Sequence, residues 1–441
     1  MNAFADNLGE QFRQHAEHLP GGDKDNVAAF RRCAFSQFET VGLPTLRHED
    51  WKYTDIRAIA KASYAALGGH EQSESSDISL DALPFPSFSS HLAVFLDGDF
   101  YPALSRLDAL PNGVQGSNIR ALLQHDPERI VGQVKNHDAA FPSLNSALMK
   151  DGLLVEVSAG ATVTEPIQVL NISRAGGLLN TARLMLNAGA NSAVTIIETH
   201  YSLEGSTSMT NALTEIEAQA GAQVTHYRIQ MDNSQCHHIG NVIANVQADA
   251  HVRTYSFAFG GDITRIDVNA DLVGKGANVT MNGLFMVDDD QHIDHHTRVR
   301  HCVSHTQSNE SYKGIADGNG RGVFNGKILV DQDAQKIDAI QSSKNLLLSD
   351  NAEIDTKPEL EIYADDVKCA HSATVGQLDD DAFFYLRSRG VEEAKARSML
   401  TFAFAADIAE DVDITPVREW LEEIITSRTH SSGINEIGDD G

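Results

Sequence analysis

Cysteine is scarce in this chain. Its 441 residues contain four, Cys33, Cys236, Cys302 and Cys369, widely separated and never as C-x-x-C. That excludes a disulfide framework and a protein-only site of four thiolates, and it fits reduced thiols in a cytosolic setting. Long apolar runs are missing, so no segment reads as a membrane span. The first twenty residues scatter Asp6, Glu10, Arg13 and Glu17 through a stretch without an apolar centre, unlike a secretory signal. Basic residues are few: Lys and Arg number 34 against 62 Asp and Glu, a formal charge of −28. Such a field repels nucleic acid and anionic membranes. A well-solvated acidic surface accounts for it; attraction of cations is the functional alternative.

Two further absences shape the fold expectation. Between about residues 152 and 375 there are no long helical segments, and Asn-Gly or Asp-Gly hairpin turns are scarce. What fills the stretch is short Val/Ile/Leu/Thr runs separated by a small corner. It reads Ala159-Gly160-Ala161, Ala188-Gly189-Ala190, Ala220-Gly221-Ala222, Ala248-Asp249-Ala250 and Lys275-Gly276-Ala277, about 27–32 residues apart. Gln332-Asp333-Ala334, Asp350-Asn351-Ala352 and His371-Ser372-Ala373 follow at irregular spacing, with a missing copy expected near Gly314-Ile315-Ala316. The second position takes residues that tolerate tight or left-handed turns, and the third takes Ala, small enough for a corner. Strand, corner, strand predicts a mainly β protein with a parallel β-helix (solenoid) core. A β-sandwich or jelly roll is the competing architecture.

The flanks differ in texture. Residues 1–150 are expected to form a mostly helical region, 151–376 the β-helix core, 377–428 a C-terminal helical region and 429–441 a disordered tail. Within the first, residues 23–40, 117–125 and 141–149 read as helices, 68–90 as a linker, and Asp97-Gly98 as a hairpin turn. Near the end, Thr415-Pro416 opens a helix whose Val417, Trp420, Leu421, Ile424 and Ile425 form one apolar stripe. That stripe is either a docking surface or a face packed on the solenoid.

Several site candidates fail on inspection. The run from Gly320 to Lys327 is similar to a phosphate loop, but Arg321 stands where the first glycine belongs and Ile328 where Ser or Thr would hold magnesium. No nucleotide is expected to bind this chain. Asp288-Asp289-Asp290 and Asp331-Gln332-Asp333 lack the glycine and terminal Glu of a calcium loop. His292, His295, His296, His301, Cys302 and His305 cluster in sequence. Their setting favours strands, where i and i+4 lie about 13 Å apart, so a hydrogen-bonded polar face outweighs a metal site. Trp51 and Tyr53 read as a buried aromatic pair. In Cys369-Ala370-His371, a thiol and an imidazole leave an extended strand on the same face. They are a candidate pair of metal ligands, or else a small core residue and a surface imidazole. Leu360 and Ile362 suggest that even positions face inward there, which turns Cys369 and His371 outward unless Asp365-Asp366 resets the alternation.

The stretch from Lys357 to Asp379, followed by Phe383-Phe384-Tyr385-Leu386-Arg387-Ser388-Arg389-Gly390, resembles the C-terminal signature of the SufD branch of the SufB/SufD family. So do Gly42-Leu43-Pro44-Thr45 with His48-Glu49-Asp50-Trp51-Lys52-Tyr53-Thr54, Asp294-His295-His296-Thr297-Arg298-Val299 with Ser308-Asn309-Glu310, and Gly326-Lys327-Ile328 with Asn345-Leu346-Leu347-Leu348-Ser349. The SufB branch carries a cysteine soon after the position of Asn345 and acidic residues around its late histidine; this chain has neither. The resemblance implies a right-handed parallel β-helix and a cytoplasmic, non-catalytic scaffold of the SUF iron–sulfur cluster assembly system. It further implies a heterodimer with SufB rather than a homodimer, although the isolated chain is compatible with a homodimer. Each of the two subunits would dock a SufC ATPase, to which the ATP cycle belongs. By the same resemblance His371, with Cys369 beside it, serves a nascent iron–sulfur cluster shared with SufB, a weakly held site suited to transient assembly. Val417, Trp420, Leu421 and Ile424 become candidates for docking SufC. Nothing in the sequence assigns a flavin to this chain. The competing class is a β-helix polysaccharide lyase or hydrolase.

Overall fold

From Leu153 to Gly376 the chain, seen in a computed structural model that describes residues 3–66, 78–133, 139–174 and 176–431, winds into a parallel β-solenoid of about eight turns. Its strands in chain order are β1 (Leu153–Val157), β2 (Ile167–Ser173), β3 (Arg183–Ala188), β4 (Ala193–Ser202), β5 (Met209–Ala218), β6 (Gln223–Met231), β7 (His237–Val246) and β8 (His251–Ala258). The second half continues with β9 (Ile263–Leu272), β10 (Asn278–Val287), β11 (His292–His301), β12 (Gln307–Ala316), β13 (Arg321–Val330), β14 (Ile337–Leu347), β15 (Glu353–Ile362) and β16 (Val367–Gly376). Odd strands form one sheet and even strands the other, all parallel to their neighbours. Register holds from turn to turn: Gln223, His251, Asn278, Gln307, Asp338 and Lys368 lie side by side.

Alternation within each strand sends every second side chain into the lumen. Val224, Val252 and Val279 stack there with Ala222, Ala250 and Ala277, all fully buried. The corners between an odd strand and the following even strand explain the alanines. Gly160, Asn191, Gly221, Asp249, Gly276, His305 and Lys336 each adopt positive φ. The N–H of each donates to a carbonyl in the corner of the next turn, as Gly221 does to Ala248 and Gly276 to His305. Corner therefore stacks on corner, and the residue after the left-handed one points inward.

Four corner expectations are corrected. The residue at positive φ in the second corner is Asn191, not Gly189. The missing copy is the bend at 303–305, with His305 at φ 64°, whereas Gly314-Ile315-Ala316 ends strand β12. His371-Ser372-Ala373 lies inside β16, and Asp350-Asn351 turns on the opposite side of the solenoid.

The N-terminal region supplies more than helices. His91–Leu96 pairs in parallel with β2 and turns back at Asp97-Gly98, both at positive φ, so that Phe95 lies opposite Phe100. Val114–Asn118 runs antiparallel to β1. Together they cover the first turn. Helices α1 (Ala3–His15), α2 (Asp25–Val41) and α3 (Ala140–Leu148) pack over the outer face of the odd sheet against Leu179, Met209, Ile239 and Ile263. Gly42, at φ 68°, ends α2. Much of the 68–90 linker and all but the start of the 429–441 tail lie outside the described residues.

Beyond β16 come α4 (Asp380–Ser388), α5 (Glu393–Glu410) and α6 (Thr415–Ser431). The side chain of Asp379 caps α4 by accepting from the Ala382 N–H. Helix α6, with Ala405, Ile408 and Ala409 of α5, packs over the outer face of the even sheet on Ile197, Tyr227, Tyr255 and Phe257. Lys313 Nζ donates to the Phe404 carbonyl at 2.6 Å and ties α5 down. No helix among the described residues is long and apolar enough to cross a membrane.

Candidate functional site at the open end of the solenoid

Among the described residues one end of the solenoid is covered and the other is bare. Strand β16 pairs only with β14, and β15 only with β13, so both terminal strands keep an unpaired edge among the described residues. Unpaired edges of ten-residue strands are templates for another chain. Apolar side chains are exposed on this last turn or beside it: Ile340, Ile362, Tyr363 and Val375.

Cys369 and His371 sit in this edge strand. Register places Cys369 beside Ala339 and His371 beside Gln341. Ala339 and Gln341 are buried lumen residues, so Cys369 and His371 share the lumen-facing side. Cys369 is half-buried against a cluster containing Ile328, Val330 and Ala339. His371 is exposed because no further turn among the described residues lies over it. The expected outward orientation is therefore corrected. Leu360 does face inward on β15, but the bend at 363–366, with Ala364 buried inside it, resets the alternation before β16. Burial, followed by the nearby Asp338 carboxylate, pushes the Cys369 thiol up from its ordinary value. It is not a pre-formed thiolate.

Below His371 the lumen is polar. Gln341 Nε2 donates to Glu310 Oε1 at 3.3 Å. Its amide crosses so close to Gly326 that a Cβ there would meet Nε2 at 2.1 Å. Burial pushes the Glu310 carboxyl up to about 7, despite hydrogen bonds from Thr297 and Gln341. Deeper in, the rings of His295 and Tyr312 lie 5.6 Å apart and His295 Nε2 meets Ser256 Oγ at 2.9 Å. Further still, the buried Glu198 carboxylate accepts from Arg228 (2.6 Å) and Thr214 (2.7 Å) and meets His200 (2.7 Å) and His226 (3.0 Å). Burial alone would raise that carboxyl, yet Arg228 and the histidines hold it well below its usual range.

The histidine cluster of β11 divides by parity rather than converging. His295 and His301 face the lumen, the latter meeting Thr306 Oγ1 at 2.7 Å and Ser308 Oγ at 3.1 Å. His292 and His296 face outward beside Asp294, and His305 is a corner residue. No group of three or more His, Cys, Asp or Glu among the described residues is placed to hold a metal ion. Val417, Trp420, Leu421 and Ile424 are all at most 9% exposed, packed on the even sheet. Those side chains are core; the aromatics presented by the C-terminal region are Phe384 and Tyr385 of α4, 73% and 57% exposed.

Comparison with known proteins decides the family. Residues 171–404 match the model described as SUF system FeS cluster assembly, SufBD core domain, and residues 3–169 match the SufBD protein N-terminal region. The chain belongs to the SufBD family. It is 34% identical to the iron–sulfur cluster assembly protein SufD of Escherichia coli over 378 residues, 85% of this chain and 86% of that protein. It is 30% identical to the SufBD family protein slr0076 of Synechocystis over 432 residues, 93% of each. Similarity to the chloroplastic protein ABCI7 of Arabidopsis thaliana is 26% over 446 residues, covering 98% of this chain and 92% of that one.

Within this SufBD chain the N-terminal and central signature segments meet, which sequence reasoning missed. Thr54 Oγ1 donates to Asp294 Oδ2 and lies 2.9 Å from His292 Nε2. Arg265 donates to the Asp50 carbonyl, pairs with Asp294 and Asp267, and stacks over Trp51. Burial alone would raise the Asp294 carboxyl, but His296 and Arg265 hold it below the carboxylate range. Trp51 and Tyr53 are half-buried rather than a buried pair: Trp51 packs on Phe141 and Arg265, and Lys52 lies over Tyr53. Lys357 of β15 pairs with Glu49, so the clasp reaches the last turn. The only available signal was the recurrence of Asp and His on alternate positions of β11.

Proposed function

We propose that this chain is a non-enzymatic scaffold for iron–sulfur cluster assembly whose open solenoid end joins a SufB-type partner, with His371 placed at that junction to ligate or closely assist the nascent cluster. The observation that carries the reading is the uncovered last turn, with an exposed imidazole and a half-buried thiol on one side of an edge strand. The cluster is cargo here, not a resident cofactor. Two protein donors hold iron weakly, so a partner must complete the coordination and can take the cluster on.

Edge pairing supplies the association. Backbone groups of β15 and β16 would extend into the partner's sheets, and Ile362, Tyr363 and Val375 would be covered. An isolated chain offers the same edge to a second copy. SufC docking is assigned to the C-terminal region, through the exposed Phe384 and Tyr385 and not through the buried stripe of α6. The ATP cycle and any nucleotide belong to SufC, since the segment similar to a phosphate loop lies in the extended strand β13 and precedes no helix. Cytoplasmic placement accords with free thiols. The relatives' names are those of assembly proteins, which favours a scaffold over a carbohydrate-active enzyme.

The test is co-expression with the neighbouring SUF components. His371→Ala should give an intact complex that builds no cluster, read from its visible absorbance. A complex that fails to form at all would assign His371 to assembly and not to chemistry.

A further inference from the structure

The lumen just beneath His371 holds an unusual set of unsatisfied oxygens. Glu310 Oε2, Gln341 Oε1 and the Tyr312 hydroxyl are buried without a hydrogen-bond partner among the described residues, and the Thr297 hydroxyl lies beside the Glu310 carboxyl. Glu310, Gln341 and Tyr312 are at most 1% exposed. Glu310 and Gln341 are neighbours in register, and His371 is the next residue of the same column toward the open end. Three buried polar atoms without partners at neighbouring lumen positions call for a ligand or ordered water, because a buried polar atom left unpaired is destabilising.

We propose that these three oxygens, with the Thr297 hydroxyl beside them, form a divalent-cation site, one turn inside the mouth marked by His371. The chemistry of the free atoms selects the occupant. Gln341 has already committed its Nε2 to Glu310, so what it presents inward is a carbonyl oxygen. Glu310 presents a carboxyl oxygen, whose proton a bound cation would displace, and the hydroxyls of Tyr312 and Thr297 can accept as well as donate. An acceptor-rich set that becomes negative when Glu310 ionises disfavours sulfide, persulfide and phosphate, and it suits a hard or borderline cation such as ferrous or manganous ion. Entry is from the open end, past His371, which suits an ion that waits here before a partner closes the solenoid. The proposal rests on the reading above only in placing iron at this end; the site itself stands on its own residues.

Manganous ion, visible by electron paramagnetic resonance, serves as the probe on the purified full-length chain. One ion per chain is expected. Glu310→Gln should weaken binding at least tenfold and Tyr312→Phe by a smaller factor, both with thermal melting unchanged or raised. His371→Ala should retain the ion. Manganese bound equally by Glu310→Gln and wild type, or by neither, overturns the proposal, the second outcome meaning that water alone satisfies these atoms. Because the readout is binding, a His371→Ala chain that still assembles clusters would sink the functional reading and leave this site standing.

Discussion

The guanidinium of Arg265 lies 3.8 Å from the centre of the Trp51 ring, so the middle of the solenoid clasps the N-terminal segment. The clasp continues through Thr54 to Asp294, a carboxylate at 0% exposure. Thr54→Ala would remove a donor to that buried charge. The expected cost is about 1–3 kcal/mol, seen as a lower urea midpoint with unchanged slope. Thr54→Ser should recover most of it. Equal midpoints for all three chains would mean that the clasp carries no stability.

Corner stacking makes opposite predictions at two positions. His305 is exposed yet held at φ 64°, a conformation that disfavours a side chain by about 1–2 kcal/mol. His305→Gly should therefore raise the melting temperature or leave it level. Ala222 is fully buried behind Gly221, and Ala222→Leu would overpack the corner at a cost of about 1–3 kcal/mol. A stabilised Ala222→Leu chain would show that the column has room that the packing does not suggest.

Much of this fold was legible in the residues. The alternation of β-branched residues and the recurring Gly/Asp-Ala pair mark stacked turns, because a left-handed residue and a small inward one are what such a corner needs. The pattern faded where other residues met the same demand: His305 and Lys336 occupy left-handed positions that no turn propensity announces. Register across the bend at 363–366 was also illegible, since one residue more or less inverts the facing of β16. The clasp could not be read either. Thr54 and Asp294 lie far apart in the chain, and neither has a local pattern that points to the other. The stripe of α6 was plain, but periodicity does not say whether a stripe meets the chain's own sheet or a partner.

Burial sets a pH dependence at His301. Its ring sits in the lumen against the hydroxyls of Thr306 and Ser308, and burial lowers it to about 4. The folded state keeps the ring neutral while the unfolded chain takes up a proton near pH 6.5. Stability from this group is therefore complete above about pH 6.5 and is lost as pH falls toward 4, by about 2 kcal/mol at pH 5. Stability measured from pH 7 to pH 5 should fall less steeply in His301→Gln than in wild type. Parallel profiles would mean that His301 does not titrate differently on folding.

Deleting α6 separates packing from docking. A chain ending after Asp411 loses Val417, Trp420, Leu421 and Ile425 and uncovers Tyr227, Tyr255 and Phe257. With roughly 1.5–3 kcal/mol for each large apolar side chain returned to water, that chain should misfold or aggregate. Phe384→Ala with Tyr385→Ala should instead keep the melting temperature and weaken SufC binding. A stable truncated chain with full SufC affinity would contradict the packing role of α6.

The most direct test of the account replaces His371 alone, in cells that depend on this chain for iron–sulfur cluster assembly. The His371 ring is exposed on the last turn and has no hydrogen-bond partner among the described residues, so His371→Ala should leave folding and partner capture intact. The account predicts that such cells lose cluster assembly while Cys369→Ser cells lose less, with both proteins present at wild-type levels. Normal cluster formation with His371→Ala as the only copy would contradict it.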